Sequence, residues 1–183
     1  IYTDGKVGDI TMRNLHARFA LNDGFNFHGY AYSVRLFKVS AWECFDNGIS
    51  PHGACSFSVE DGEFLHNEMA VGNDFLTETK MLRCNIGYST QEELMFIGGK
   101  HLIEDSHIRA TGPVAMRLTY SKPGPGRWRA LKEVEMSGKD PNAAPLYTFR
   151  NCTVESADGK KHAIVIARNV DVVFEKCTFK DME

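Results

Sequence analysis

Apolar residues along this chain come in short runs that alternate with polar ones, and the runs are broken by Gly, Asn and Asp. The alternation is clear in Phe25-Asn26-Phe27-His28 and in Ile49-Ser50-Pro51-His52. A period of two predicts strands, with Phe25, Phe27, Ile49 and Pro51 facing inward and Asn26, His28, Ser50 and His52 facing outward. No stretch of about 10 residues keeps the stripe of an amphipathic helix.

The pattern also repeats. Asn22-Asp23-Gly24-Phe25-Asn26-Phe27-His28-Gly29 matches Asp46-Asn47-Gly48-Ile49-Ser50-Pro51-His52-Gly53 at an offset of 24 residues, with Gly on Gly and His on His. A second echo runs in register with the first. It comprises Met12-Arg13-Asn14-Leu15, Leu36-Phe37-Lys38-Val39, Val59-Glu60-Asp61-Gly62, Met81-Leu82-Arg83-Cys84, Ile103-Glu104-Asp105-Ser106, Phe149-Arg150-Asn151-Cys152 and Phe174-Glu175-Lys176-Cys177. From Leu15 to Cys177, successive fourth residues are separated by 24, 23, 22, 22, 46 and 25 positions. A unit this short, made of short strands, cannot bury its apolar face alone, so neighbouring units must stack into a continuous core.

The expected fold is therefore all-β: a parallel β-solenoid of about seven to eight coils, forming one domain over residues 1–183. The repeats, with their Asn-Cys-Thr-Val and Lys-Cys-Thr-Phe steps after a charged turn, resemble the right-handed parallel β-helix proteins of the pectate-lyase-like group over roughly residues 8–180. The resemblance and the crossover rule for parallel strands both imply a right-handed coil. A leucine-rich repeat has similar length, but its regular Leu and Asn scaffold is missing. The expected inward positions are Phe25, Phe27, Ile49, Val71, Val114, Met116, Phe149, Cys152, Phe174 and Cys177. Trp42 and Phe45 are placed to pack at a corner. Residues 121–145 hold four of the six prolines and coincide with the doubled gap, which predicts a loop insertion.

Composition narrows the function. A formal net charge of −3 offers no basic field for nucleic-acid phosphates, so nucleic acid is not an expected partner. No run of about 18 apolar residues predicts a membrane span. The chain starts at Ile1 in mid-repeat, which suggests a piece of a longer protein with further coils or oligomer contacts at its ends. Of the five cysteines, Cys84, Cys152 and Cys177 share a repeat position that elsewhere holds Leu15, Val39, Gly62 and Ser106. Such a slot suits reduced cysteine acting as a compact hydrophobe, while Cys44 and Cys55 lie elsewhere in one unit. There is no CxxC spacing for zinc.

The candidate chemistry lies on the outward face. Setting Val71 on Ile49 puts Gly72 beside Ser50 and Asp74 beside His52, so His28, His52 and Asp74 form a column with rungs roughly 5 Å apart. Arg117 faces outward on the same side. Gly48-Ile49-Ser50-Pro51-His52 resembles the Gly-Phe-Asp-Pro-His motif of mannuronan C5-epimerases, and the resemblance carries His52 over as the acceptor of the proton next to a uronate carboxyl group. Ser50 stands where that motif has an acid, with Asn26 in the sister coil. Asp74 is then placed to orient His52, and Arg117 to neutralise the uronate; no cofactor is expected, and whether calcium helps hold the carboxylate is left open. The competing structural reading is that His28 and His52 merely end two strands, with Asp23, Asp46 and Asn47 as turn formers. Hydrolysis would need two carboxyl groups about 5 to 9.5 Å apart, and Asp23 and Asp46 are out of register for that.

Arg127-Trp128-Arg129 offers an aromatic face and two guanidinium groups to an acidic sugar, or else a Trp folded back on the coil. The expectation is a carbohydrate-active protein, extracellular, on the cell surface or periplasmic, acting on an acidic polysaccharide by lyase or epimerase chemistry. Catalysis falls to His52, His28, Asp74 and Arg117, and substrate binding to Asn26, Ser50, Arg127, Trp128 and Arg129. The alternatives are a non-catalytic glycan-binding or adhesin module and a surface-fibre spacer.

Overall fold

A computed structural model describes residues 1–3, 5–120, 132 and 135–183. Three parallel sheets of seven strands each wind into an all-β solenoid of about seven turns, with almost no helix among the described residues. In one turn the chain passes through the first sheet (Phe25–Phe27), the second (Val34–Phe37) and the third (Ser40–Trp42), then re-enters the first one rung on (Asn47–Pro51).

The second echo in the sequence is the bend between the second and third sheets. Its first members, Met12, Leu36, Val59, Met81, Ile103, Phe149 and Phe174, pair in one unbroken inward ladder. Its third members, Asn14, Lys38, Asp61, Arg83, Asp105, Asn151 and Lys176, all take a left-handed backbone with φ between 50° and 55°. That conformation costs a residue with a side chain about 1–2 kcal/mol. The cost is offset because the bend aims each N–H at the next coil: Lys38 donates to the Glu60 carbonyl at 2.9 Å and Arg83 to Glu104 at 3.0 Å. Phe19, Glu43, His66 and Tyr88 form the equivalent bend between the third and first sheets. Between the first and second sheets Gly29 and Gly53 hold φ of 79° and 72°, and a Cβ on Gly29 would lie 2.4 Å from the Gly5 carbonyl oxygen.

The fourth members of the echo turn inward. Val39, Gly62, Cys84, Ser106 and Cys152 are buried, and all five cysteines are free thiols. Burial pushes the Cys84 thiol up to about 12 and Cys152 up to about 11.

Seven of the ten positions expected inside are fully buried, and three are not. Phe174, 37% exposed, and the partly covered Cys177 lie on the last rung, where each has a neighbour on one side only; Phe174 still stacks on Phe149 at 5.2 Å. Val114 is half-buried for a different reason. In the first sheet two consecutive residues face the core on each of several rungs: Ala70-Val71, Glu93-Leu94 and Ala115-Met116. The extra inward residue shifts the alternation, so Val114 pairs with Glu92 on the outer side while Leu94 pairs with Met116 inside. At the corners, Trp42 packs edge-on against His16 at 4.9 Å, but Phe45 is 68% exposed and does not pack as expected.

Leu146 pairs directly with Lys100 although they are 46 residues apart in sequence, so the stretch between Thr119 and Leu146 adds no rung to any sheet among the described residues. Residues 121–131 of that stretch lie outside the described residues. Its described end is pinned by Lys139, whose Nζ donates to the Leu76 carbonyl at 2.9 Å and lies 3.5 Å from Glu78.

A polar group sits inside the apolar stack. His101, fully enclosed, stacks on Phe96 at 4.1 Å and donates from Nε2 to the Gly98 carbonyl, and burial lowers its imidazole to about 3. Tyr147 accepts from the Gly98 N–H at 2.8 Å and donates to the Thr119 carbonyl at 2.5 Å, closing the corner where the chain leaves the first sheet.

Three outcomes are expected from this core. Tyr147→Phe should cost about 1 kcal/mol in chemical denaturation, because the Gly98 N–H and the Thr119 carbonyl each lose one partner while keeping the bond between them. Cys84 and Cys152 should react slowly with a thiol reagent in the native state and promptly in denaturant, with no effect of prior reduction. Cys152→Asp should unfold the protein or lower its midpoint sharply, since the charge would have no partner in the core.

Candidate functional site

The outer side of the first sheet carries two parallel rows. Tyr2, Asn26, Ser50, Gly72, Met95, Arg117 and Val165 form one, set by the pairs Tyr2↔Asn26, Asn26↔Ser50, Val71↔Ile49, Gly72↔Met95, Met95↔Arg117 and Arg117↔Val165. His28, His52, Asp74, Ile97 and Thr119 form the other, two residues further along each strand. In the fourth coil, where four apolar residues hide the parity in sequence, Leu94 and Phe96 are buried while Met95 and Ile97 take outward places.

His28 and His52 stack face to face, with ring centroids 4.3 Å apart and planes inclined by 22°. Both are half-buried. The Ser50 hydroxyl lies 2.7 Å from His52 Nε2. Whether the hydroxyl donates or the ring N–H does, the contact fixes the imidazole in one orientation. Asp74 takes the expected place by backbone register, but the role expected of its side chain lies outside what the structure describes.

Other expected roles change with the geometry. Asn26 and Ser50 are on the outer side of the sheet but are 7% and 0% exposed, so neither meets a substrate directly. Each supports a neighbour: the Asn26 amide donates to the Asp23 carboxylate, and Ser50 holds His52. Arg117 is three rungs from His52, about 14 Å at the spacing of paired strands. Its guanidinium is bound to Glu92, with Nε and Nη2 each 2.6 Å from Oε1. It therefore cannot neutralise a carboxylate on the sugar that meets His52. Arg127, Trp128 and Arg129 lie outside the described residues.

The carboxylates beside the histidines are occupied. Asp23 accepts from the Asn47 backbone N–H at 3.0 Å and from its amide at 2.8 Å, while Asp46 accepts from the same amide at 3.0 Å. Desolvation, followed by the charges of Asp23 and Glu68, raises the Asp46 carboxyl above its usual range, and the charge of His52 partly counters this. Calcium needs six to eight oxygen ligands. Both Asp23 oxygens are turned to amide N–H groups, and no cluster of three His, Cys, Asp or Glu suited to a metal occurs among the described residues, so the arrangement does not fit that ion.

Tyr2 is a candidate that sequence reasoning missed. Its ring lies 5.5 Å from His28 and it is 61% exposed, which places a phenolic O–H at the open side of the imidazole stack. The signal was available, since Tyr2 stands 24 residues before Asn26, one repeat away.

No protein-family model matches the chain, and no curated protein or solved structure is similar enough to count as a match. No helix among the described residues is long and apolar enough to cross a membrane.

Ser50→Ala should cost about 1 kcal/mol of stability. It should also release the His52 ring, seen as a shifted and broadened Nε2 resonance in nitrogen-15 spectra of the imidazoles. An unchanged His52 spectrum would show that the hydroxyl does not orient the ring.

Proposed function

We propose that this β-solenoid acts on an acidic polysaccharide at the outer face of its first sheet, by lyase or epimerase chemistry with His52 as the proton acceptor. The observation that carries the reading is the stacked His28–His52 pair, with His52 fixed by the Ser50 hydroxyl at 2.7 Å. A proton acceptor near neutral pH is what abstraction next to a carboxyl group requires, and imidazole has that basicity without a metal. His52 takes the ring proton and the electron pair passes toward the adjacent carboxylate. The pair then either expels the glycosidic oxygen, giving an unsaturated sugar, or recovers a proton on the opposite face, giving the epimer. The Tyr2 phenol is an exposed group beside His28 that can supply that proton.

In this reading the protein is a right-handed parallel β-helix of the pectate-lyase-like kind, and Gly48–His52 is its counterpart of the mannuronan C5-epimerase motif. Ser50 replaces the acid of that motif and does the orienting as a neutral group. A polymeric substrate implies action outside the cytoplasm: extracellular, at the cell surface or in the periplasm.

One observation favours a second reading, binding without turnover, as in a glycan-binding, adhesin or surface-fibre module. The outward guanidinium expected to meet the uronate, that of Arg117, is instead bound to Glu92 three rungs from His52.

The test is to incubate the protein with a panel of uronate polymers and follow both the absorbance of unsaturated products and deuterium uptake from solvent. Turnover should rise as pH passes through the imidazole range and should fall by about 100-fold or more in His52→Ala with binding retained. Activity unaltered in His52→Ala would sink the mechanism, and binding with no turnover on any polymer would establish the second reading.

A further inference from the structure

The second sheet has its own outer face, a quarter-turn of the chain away from the histidines in sequence, and a groove of 740 Å³ runs across it. Arg35, Ser58, Lys80, Leu102 and Thr148 form one outward row along its floor, each paired with the next. Lys100 lies on the adjacent outward row, paired with Glu78 on one side and Leu146 on the other.

The groove is lined by Arg35, Lys80, Lys100 and Arg150 against the single carboxylate of Glu78. Two of these five charges are already met: Glu78 lies 3.5 Å from Lys139, and Arg150 is bound to Glu175 at 2.6 Å. Glu60, on a flanking row, is drawn to Arg83, while Glu104 and Asp171 are on rows outside the lining. Among the described residues Arg35, Lys80 and Lys100 have no carboxylate within ion-pair distance, and all three are exposed. Arg35 and Lys80 are two rungs apart, about 10 Å, and Lys100 is one rung further.

We propose that this groove binds a linear anionic glycan, laid along the solenoid axis so that sulfate or carboxylate groups meet Arg35, Lys80 and Lys100. Periodic cations on a flat, rigid floor suit a polymer with periodic charge, and uncompensated cations gain more from an anion than paired ones. Between the cations the floor presents Ser56 and Ser58 hydroxyls, suited to sugar hydroxyls. Nucleic acid fits less well. The groove's only aromatic carbocycle, Phe57, faces the core at 6% exposure, so no platform is offered for bases, and the whole chain is acidic at −3. The inference goes beyond the chemistry at His52 and does not depend on it.

The experiment measures binding of size-selected heparin fragments, oligogalacturonate and single-stranded DNA to the whole protein by calorimetry at two salt concentrations. Arg35→Ser, Lys80→Ser and Lys100→Ser combined should weaken glycan binding by about tenfold or more and flatten its salt dependence, with the thermal midpoint little changed because these side chains are exposed. Lys80→Arg should retain binding, and Lys161→Ser, which removes an exposed cation outside the groove, should leave it unchanged. The sulfated and carboxylated probes tell which anion the groove prefers. Unchanged affinity in the triple variant, or DNA bound as tightly as either glycan, would overturn the proposal.

Discussion

The structure depends on one constraint: the backbone of each coil finds most of its hydrogen-bonding partners in the coils on either side. In a compact sheet the turns can be satisfied by water or by local side chains. Here even the bends point their N–H groups along the stack, so Asn14, Lys38, Asp61, Arg83, Asp105 and Asn151 each donate to a carbonyl of the following rung. A residue with a left-handed backbone is mildly strained. It is the conformation that turns the chain sharply and leaves the donor aimed at its neighbour. That explains why lysine and arginine occupy a position where Asn, Asp or Gly would be easier: the interaction between coils decides, and the side chain has only to reach water.

The same constraint is why so much of the fold was legible. Once each residue must lie over its counterpart one coil earlier, the sequence is forced into rows, and the rows appear as an echo of about 23 positions with inward, outward, bend and inward members in fixed order. The cysteines could be read as buried thiols because their position elsewhere accepts Val39, Gly62 and Ser106. The first sheet was less legible. Strict alternation assigned Val114 to the core, whereas the pair Ala115-Met116 faces inward together. One residue of extra length in a strand changes the side of everything before it, and nothing in the identities of Val, Ala and Met marks where the extra residue falls.

The candidate site was legible as a column and illegible as chemistry. Register alone put His28 beside His52 and Asp74 after them. What each outward side chain would touch depended on neighbours one and two rungs away, which strand parity does not report. Glu92 reads as an unremarkable polar residue before an apolar run, yet it is nine-tenths buried and takes the guanidinium that was expected to serve a substrate. Ser50 reads as the loss of an acid, yet the short hydroxyl reaches His52 and supplies the orienting contact a carboxylate would have made.

Under the proposed reading, the two outer faces would divide the work of handling a polymer, an arrangement the solenoid makes easy. The histidine face offers few free cations, since Arg117 is held by Glu92, while the second sheet offers three with no carboxylate against them. A long acidic chain held on the second face would have its remaining length tethered near the first, and tethering raises the local concentration of segments without any stronger contact at the reacting face. In that reading binding can persist without turnover: the proposed groove needs only exposed cations on a rigid floor, whereas the proposed reaction needs one imidazole held by one hydroxyl, so a single substitution at Ser50 would separate them.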